Sequence, residues 1–423
     1  MKVLKRNSFV GGAGIYLFSN ILNATIPFIL LPILTRYLSP AEYGEVAMFQ
    51  TLLGVLGAFV GTTFVGSAIR KYYDDNLSKS EYAEFVGTSV QLVSLFSLIV
   101  FFLFFSFQTQ FSEWLGIREK YVLYAVLVSF CTVIVRLRLG QWQVKKQALK
   151  YGALQVSQSF VNALLSLLLV VVFLKGPSGR IDAQIVSSIV FLVLSIYLLK
   201  KDKLFKIFIW RRDQQTEILK YGIPLFPHVA GAFLLTSADR FVINQEIGLA
   251  EAGIYMVAIQ LTGAASIVFD AINKAYIPWL FERLKRNIHS EKKKIVQFTY
   301  FWFLLIFLGC IVVFLLGPRL VTLIAGEGYS QAGEVIGLLA LGQGFQGMYL
   351  MVTNYIIYSK KTGLLSAASI ATGLLNLALL IVFVRTLGLL GAALAFAISM
   401  GIRFLLVWWL ASRCYSMPWF DRT

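Results

Sequence analysis

The sequence is short of the residues that soluble chemistry relies on. Charged residues make up 14% of the chain, against roughly a quarter in an ordinary soluble domain. Only 21 of 423 residues are Asp or Glu and only two are His, which leaves few groups for general acid–base or metal chemistry. The three cysteines, Cys131, Cys310 and Cys414, lie in or beside apolar segments without paired spacing. They read as small core hydrophobes, which excludes a disulfide framework or a thiolate metal site. No Walker A sequence occurs, so ATP hydrolysis by this chain is not expected. No stretch between apolar blocks approaches the ~50 residues of an independent soluble core. An appended nucleotide-binding, glycosyltransferase or DNA-binding domain is therefore not expected.

What the chain has instead is hydrocarbon. Hydrophobic residues make up 58% and the mean hydropathy is +0.75. The apolar residues fall into blocks at 10–34, 42–68, 83–107, 119–140, 150–174 and 183–200, then 217–245, 251–279, 295–317, 331–358, 363–385 and 388–411. Each is long enough to cross a bilayer, which takes ~20 residues. The pattern predicts an all-α polytopic membrane protein of about twelve transmembrane helices. The basic start resembles a signal-peptide n-region, but Asn20, Asn23 and Pro27 interrupt the apolar run and no cleavage site follows, so an uncleaved first helix is expected. Pro27 with Pro32, and Pro224 with Pro227, predict broken helices in blocks one and seven, of the kind that line cavities.

The net charge of +17 could suggest a nucleic-acid partner, but its distribution follows the loops. Lys and Arg crowd into alternate connections, notably Arg136–Lys150, Lys200–Lys220 and Lys274–Lys294. The other side carries only Arg36, Arg118, Lys120, Lys175, Arg180, Arg240, Arg319 and Arg385. This asymmetry predicts a bacterial inner-membrane protein with both termini in the cytoplasm, and it leaves no need for nucleic acid.

The halves echo each other. Thr35-Arg36-Tyr37 precedes Ala41-Glu42-Tyr43-Gly44, and Asp239-Arg240-Phe241 precedes Ala250-Glu251-Ala252-Gly253. With six spans in each half, the repeats would be parallel, related by a pseudo-two-fold axis along the membrane normal. The expected organisation is an N-terminal lobe at 1–200, a cytoplasmic linker loop at 201–216 and a C-terminal lobe at 217–423, with Arg36 and Arg240 at equivalent mouths and a cavity between the lobes.

Several motifs have a plain structural reading. Gly342-Gln343-Gly344-Phe345-Gln346-Gly347 matches a dinucleotide fingerprint but lies in an apolar helix without a βαβ context, so small residues for close packing are expected. Gly57 and Gly61 read as a packing face. Asp74-Asp75 reads as a solvated loop rather than a metal site, and His228 as a hydrogen-bonded core residue rather than a proton site. Intramembrane charges ask for more, because each costs ~2.5–3.5 kcal/mol or more near the bilayer centre. Glu45, Asp239 and Asp270 are the ion-coupling candidates. Arg36, Arg70, Arg240, Lys274 and Arg403, with Asn20 and Asn23, are the candidates for a substrate cavity. The alternatives are snorkelling for the cations and helix–helix hydrogen bonds for the asparagines. Asp270 and Lys274 stand four apart in the favoured order for a helical ion pair, and a buried neutral pair is expected.

At Leu31-Pro32-Ile33-Leu34-Thr35-Arg36-Tyr37-Leu38-Ser39-Pro40-Ala41-Glu42-Tyr43-Gly44 the chain resembles the polysaccharide transporter family, the O-antigen and exopolysaccharide (Wzx-type) flippases of the multidrug/oligosaccharidyl-lipid/polysaccharide (MOP) superfamily. The run Gly388-Leu389-Leu390-Gly391-Ala392-Ala393 agrees. The resemblance implies two six-helix lobes that move an undecaprenyl-diphosphate-linked oligosaccharide from the cytoplasmic to the periplasmic leaflet by alternating access. It implies basic cavity residues at the diphosphate, a transporter rather than an enzyme, no cofactor, and H+ or Na+ as the coupling ion. Contact with a polysaccharide polymerase and a chain-length regulator follows from the same resemblance. Two other readings compete. One is a multidrug or cation antiporter of the same superfamily, which would favour an acidic cavity. The other is a membrane polymerase, ligase or glycosyltransferase, which would need a larger loop than 318–330 offers.

Overall fold

The structure is a computed structural model that describes residues 2–75 and 77–419. Among the described residues every regular element is helical. The first elements are α1 (Lys2–Tyr37), α2 (Pro40–Val60), α3 (Thr62–Lys71), α4 (Lys79–Ser106), α5 (Gln108–Leu115), α6 (Glu119–Val144), α7 (Ala148–Leu167) with a π-helical turn at Leu168–Val172, and α8 (Gly176–Lys201). They are followed by α9 (Arg212–Gly222), a 3-10 turn at Ile223–Leu225, α10 (Phe226–Thr236), α11 (Ala238–Glu246) and α12 (Leu249–Arg286). The last are α13 (His289–Ala325), a 3-10 turn at Glu327–Tyr329, α14 (Ala332–Tyr358) and α15 (Thr362–Cys414).

Nine helices among the described residues are long and apolar enough to cross a membrane. The longest, α15, is two helices that meet at Gly388, where φ is +59° and ψ is −137°. A side chain would strain this backbone. The chain doubles back so tightly that a Cβ on Gly391 would lie 2.0 Å from the Phe383 carbonyl oxygen. The remaining two expected spans are interrupted: 42–68 is split into α2 and α3, and 217–245 into the short helices α9 to α11. The sum is an all-α polytopic fold of about twelve spans.

The breaks are not all where proline predicts them. α1 runs through both Pro27 and Pro32 as one helix, so block one is not broken. Block two is broken instead, at Gly61, where φ is +130° and a Cβ would lie 2.7 Å from the Phe64 ring. Gly61 therefore ends a helix, and it also lets the backbone pack closely, since a Cβ there would lie 3.1 Å from Val93 of α4. Block seven is interrupted as expected, by the turn containing Pro224 and again at Ser237.

The chain divides into two compact units, Met1–Ala230 and Gly231–Thr423. The core of the first includes Phe49, Phe85, Tyr121, Ile134 and Leu137, and that of the second Leu280, Ile295, Met351, Val352 and Tyr355. Lipid is as apolar as leucine, so close packing and interhelical hydrogen bonds hold such helices together, not exclusion from water. In the second unit α14 carries the device. A Cβ on Gly342 would lie 2.4 Å from the Phe396 ring, one on Gly344 2.7 Å from Cys310 Sγ, and one on Gly347 2.7 Å from the Phe269 ring. The three glycines of the apparent fingerprint thus seat α14 against three neighbouring helices, the packing role expected for them.

The 201–216 stretch is strapped along α4 in the first unit. A Cβ on Gly87 would lie 2.2 Å from the Lys206 carbonyl oxygen. Gln91 Nε2 donates to the carbonyls of Ile207 (2.6 Å) and Ile209 (3.1 Å), and Arg211 donates to Glu84 through Nε and Nη2 (3.2 and 3.0 Å).

Candidate functional site: polar cavities within the apolar spans

Each unit holds a small polar cavity among its spanning helices. In the second unit a cavity of about 220 Å³ is lined from α12 by Ser266 and Asp270, from α14 by Gln343 and Gln346, and from α15 by Arg403. Arg403 Nη1 donates to Gln346 Oε1 (3.0 Å) and Nη2 to Ser369 Oγ (3.4 Å). Its guanidinium lies 4.1 Å from the centre of the Tyr349 ring, a cation–π contact. All its partners are neutral, Nε has none among the described residues, and the partly buried charge is left without an acid within ion-pair distance. Ser266 Oγ donates to Gln343 Oε1 (2.7 Å), which orients the second glutamine. The glycines of α14 bring its backbone close to neighbours, and the two glutamines between them line the cavity.

In the first unit a cavity of about 290 Å³ is lined from α2 by Gln50, from α6 by Ser129, Thr132 and Arg136, and from α8 by Gln184. Gln50 Nε2 donates to Gln184 Oε1 (2.6 Å). Arg136 is exposed and has no hydrogen bond or ion pair among the described residues. Among the described residues no acid lines this cavity.

The sequence-predicted residues fall into different surroundings. Arg403 and Asp270 share the second cavity. Asp270 and Lys274 do not form the expected buried pair: both are exposed, and they make no ion pair with each other among the described residues. Asp239 and Arg240 are buried at 2% and 8% exposure. Arg240 Nη1 donates to the Thr236 carbonyl (3.0 Å) and lies 3.8 Å from Asp239 Oδ1, which also accepts from the Arg240 amide (2.8 Å). Arg36 is exposed in the last turn of α1, so Arg36 and Arg240 do not share an environment. Arg70 is exposed and lies over the Tyr221 ring at 5.6 Å. Glu45 is partly buried, 3.9 Å from Arg118. Asn23 Oδ1 accepts from Ser159 Oγ on α7, a helix–helix hydrogen bond; Asn20 is partly buried and has no side-chain hydrogen bond among the described residues. The side chain of His228 lies outside the described residues.

Sequence reasoning passed over Gln50, Gln184, Gln343, Gln346 and Ser266, which are neutral and carry no periodic signal. Arg136 was read as part of a basic loop. Arg180 was read as a flanking charge, yet its Nη1 donates to Asn162 Oδ1 (3.0 Å) and Ser166 Oγ (3.1 Å). The only available signal was a run of glutamines among glycines in an apolar helix.

The family model described as "Polysaccharide biosynthesis protein" matches residues 9–284. A Shigella flexneri protein named "Putative O-antigen transporter" is 23% identical over 423 residues, covering 94% of this chain and 97% of that protein. Among solved structures, the inward-facing conformation of a multidrug-resistance MATE family transporter of the MOP superfamily superposes with a TM-score of 0.71 at 15% identity, covering 92% of this chain and 94% of that one. The lipid II flippase MurJ in an inward closed conformation superposes at 0.65 and 15% identity, covering 96% and 87%. At these identities the structures establish the fold alone.

Proposed function

Because the chain belongs to the polysaccharide biosynthesis protein family, we propose that it is a transporter that moves lipid-linked oligosaccharide between the two leaflets of a membrane. The observation that carries this reading is Arg403, a cation within a spanning helix, held by Gln346, Ser369 and Tyr349 and without an acid in ion-pair distance among the described residues. A charge inside a membrane needs a pairing or functional reason. Here the structure supplies orientation without neutralisation, which is what a diphosphate headgroup requires of an arginine. The lipid tail stays in hydrocarbon, and the glycan meets the glutamines and Ser266.

The crowding of basic residues into alternate loops supports a reading with both termini in the cytoplasm, and the direction we assign is from the cytoplasmic to the outer leaflet of the bacterial inner membrane. Asp270 lies in the same cavity as Arg403 and would oppose an incoming diphosphate while ionised. Taking up a proton, or a sodium ion, removes that opposition, and this is the coupling step we assign to it. Lys274, one turn further along the helix, is an exposed cation outside the cavity lining. Bond making or breaking forms no part of this function.

Purified protein in liposomes, supplied with a fluorescent oligosaccharide on a polyprenyl diphosphate, tests the reading. The label should become accessible to an impermeant quencher on the opposite side with its covalent structure unchanged. A protein that leaves the label in its original leaflet, or returns a new glycosidic product, would overturn it.

A further inference from the structure

A third cavity, of about 630 Å³, lies in the first unit at the end that carries the basic loops. The turn before α4, the end of α6 and the residues after α8 build it. Lys79, Lys145, Lys203 and Lys206 line it, with two acids, Asp74 and Asp202. Both acids are taken up elsewhere. Asp202 is bound by Arg138, which is 1% exposed. Burial alone would raise the Asp202 carboxyl, but the hydrogen bond and charge of Arg138 hold it below the usual carboxylate range. Asp74 lies 3.0 Å from Lys71, which also holds Glu217 at 2.8 Å.

The lysines are therefore in excess. Lys79, Lys145 and Lys203 have no acid within ion-pair distance among the described residues, and Lys206 shares Glu84 with Arg211. Burial, together with Arg138, Lys150 and Lys79, lowers the Lys145 amine despite the pull of Asp202. Lys203 adopts φ +56°, a left-handed conformation that glycine or asparagine would take more readily. The wall is rigid, because the Lys206 backbone rests on Gly87 and Lys206 Nζ donates to Ser80 Oγ (2.7 Å). Ser78 and Ser80 add hydroxyls to the lining. Like charges gathered round a cavity repel one another, and an anion with several oxygens relieves that repulsion.

We propose that Lys79, Lys145, Lys203 and Lys206 form a binding cage for a phosphate-bearing anion at the basic-loop end of the first unit. The chemistry fits the headgroup of an anionic phospholipid or a soluble phosphate ester. Phe208 and Trp210, 94% and 62% exposed just beyond the cage, have the composition of an interfacial anchor beside a headgroup. The proposal is independent of the transport reading and of the cavities around Arg403 and Arg136.

The test is residue-resolved acylation of lysines in the purified full-length protein, read by peptide mass spectrometry. One arm adds inorganic pyrophosphate in neutral detergent. The other compares nanodiscs of phosphatidylcholine with nanodiscs that also contain phosphatidylglycerol. Labelling of Lys145 should fall about tenfold when the probe is present at about ten times its dissociation constant, while exposed Lys285 in the second unit stays unchanged. Protection by pyrophosphate alone assigns a soluble anion, by phosphatidylglycerol alone a lipid headgroup, and by both the shared phosphate chemistry. Lys79→Gln with Lys203→Asn, the latter retaining a left-handed preference, should abolish most of the protection. No protection of Lys145 by either probe overturns the proposal, as does protection that survives the double variant. The wild-type arms decide the matter even if the variant fails to fold.

Discussion

The two units solve the same problem, a polar cavity within apolar helices, in different ways. In the first the two glutamines bind each other and leave Arg136 exposed, with no hydrogen bond or ion pair among the described residues. In the second Arg403 is fixed by three neutral groups, and an acid, Asp270, shares the lining. A free arginine can follow a moving anion but loses conformational entropy on binding it, whereas a fixed arginine is pre-organised. Among the described residues, only the second of these two cavities has an acid in its lining. Under the proposed transport function, the first is suited to attract a headgroup and the second to hold and release it.

The sharpest way to break this comparison is to neutralise each arginine in turn. Arg403→Gln is expected to lower translocation about 100-fold, the scale of one lost charge-assisted contact to phosphate, with Arg403→Lys recovering part of it. Arg136→Gln should cost about tenfold or less. The liposome assay measures both, with protein levels in the membrane as the control. Equal losses at the two sites would mean that fixing Arg403 contributes nothing.

A second test uses the acid. Asp270→Asn mimics the protonated side chain permanently, so an imposed pH gradient should no longer accelerate transport, while the ungraded rate stays within about tenfold of wild type. Among the described residues no acid lines the first cavity, so substitutions there should leave the gradient response intact. If Asp270→Asn retains the full response, coupling lies elsewhere, and buried Asp239 becomes the group to test.

How far these differences could be read in the sequence depends on the kind of signal. The spans were legible because hydropathy acts over ~20 residues at a time. The expected echo of the halves rests on Glu42 and Glu251, each the third residue of its helix; in α2 Ser39 is the N-cap, and Glu42 accepts from the Ser39 amide. The breaks were only partly legible. Proline announces itself, yet α1 absorbs two, while Gly61 breaks its helix through a backbone angle that sequence does not display. Arg403 stood out because a charge in an apolar run is costly. Its partners did not, because Gln346 and Ser369 are brought together only by the packing of α14 and α15. The Asp270–Lys274 pair was misread for the converse reason: spacing fixes a shared helix face but not what lies opposite it.

That packing can itself be tested. Gly342→Ala adds a methyl 2.4 Å from the Phe396 ring, and Phe396 lines the second cavity. A destabilisation of about 1 kcal/mol, at the low end of overpacking costs, should lower the thermal midpoint of the purified protein. If transport falls further than stability accounts for, the glycines position the glutamines as well as the helix. An unchanged midpoint would mean that Phe396 moves aside freely.

The smallest effect concerns Asn23, which the sequence left open between lining a cavity and bonding a neighbouring helix. The structure bonds it to Ser159 on α7. In the second unit Asn354 plays a comparable part, donating to Asn273 Oδ1 at 2.8 Å and to the Leu350 carbonyl at 2.9 Å. Such bonds within membranes average about 0.6 kcal/mol, because helices separated in lipid find other partners. A double-mutant cycle of Asn23→Ala with Ser159→Ala isolates the term, since Ser159→Ala removes the donor while leaving the asparagine in place. If Asn23 serves only to join helices, the coupling in stability should be about 0.6 kcal/mol and both single variants should transport alike. If Asn23 also meets substrate, Asn23→Ala should impair transport while Ser159→Ala does not, because freeing the amide from its partner leaves it available to a glycan hydroxyl. The asymmetry between two variants of one bond therefore decides whether the first unit contributes a polar contact beyond its arginine.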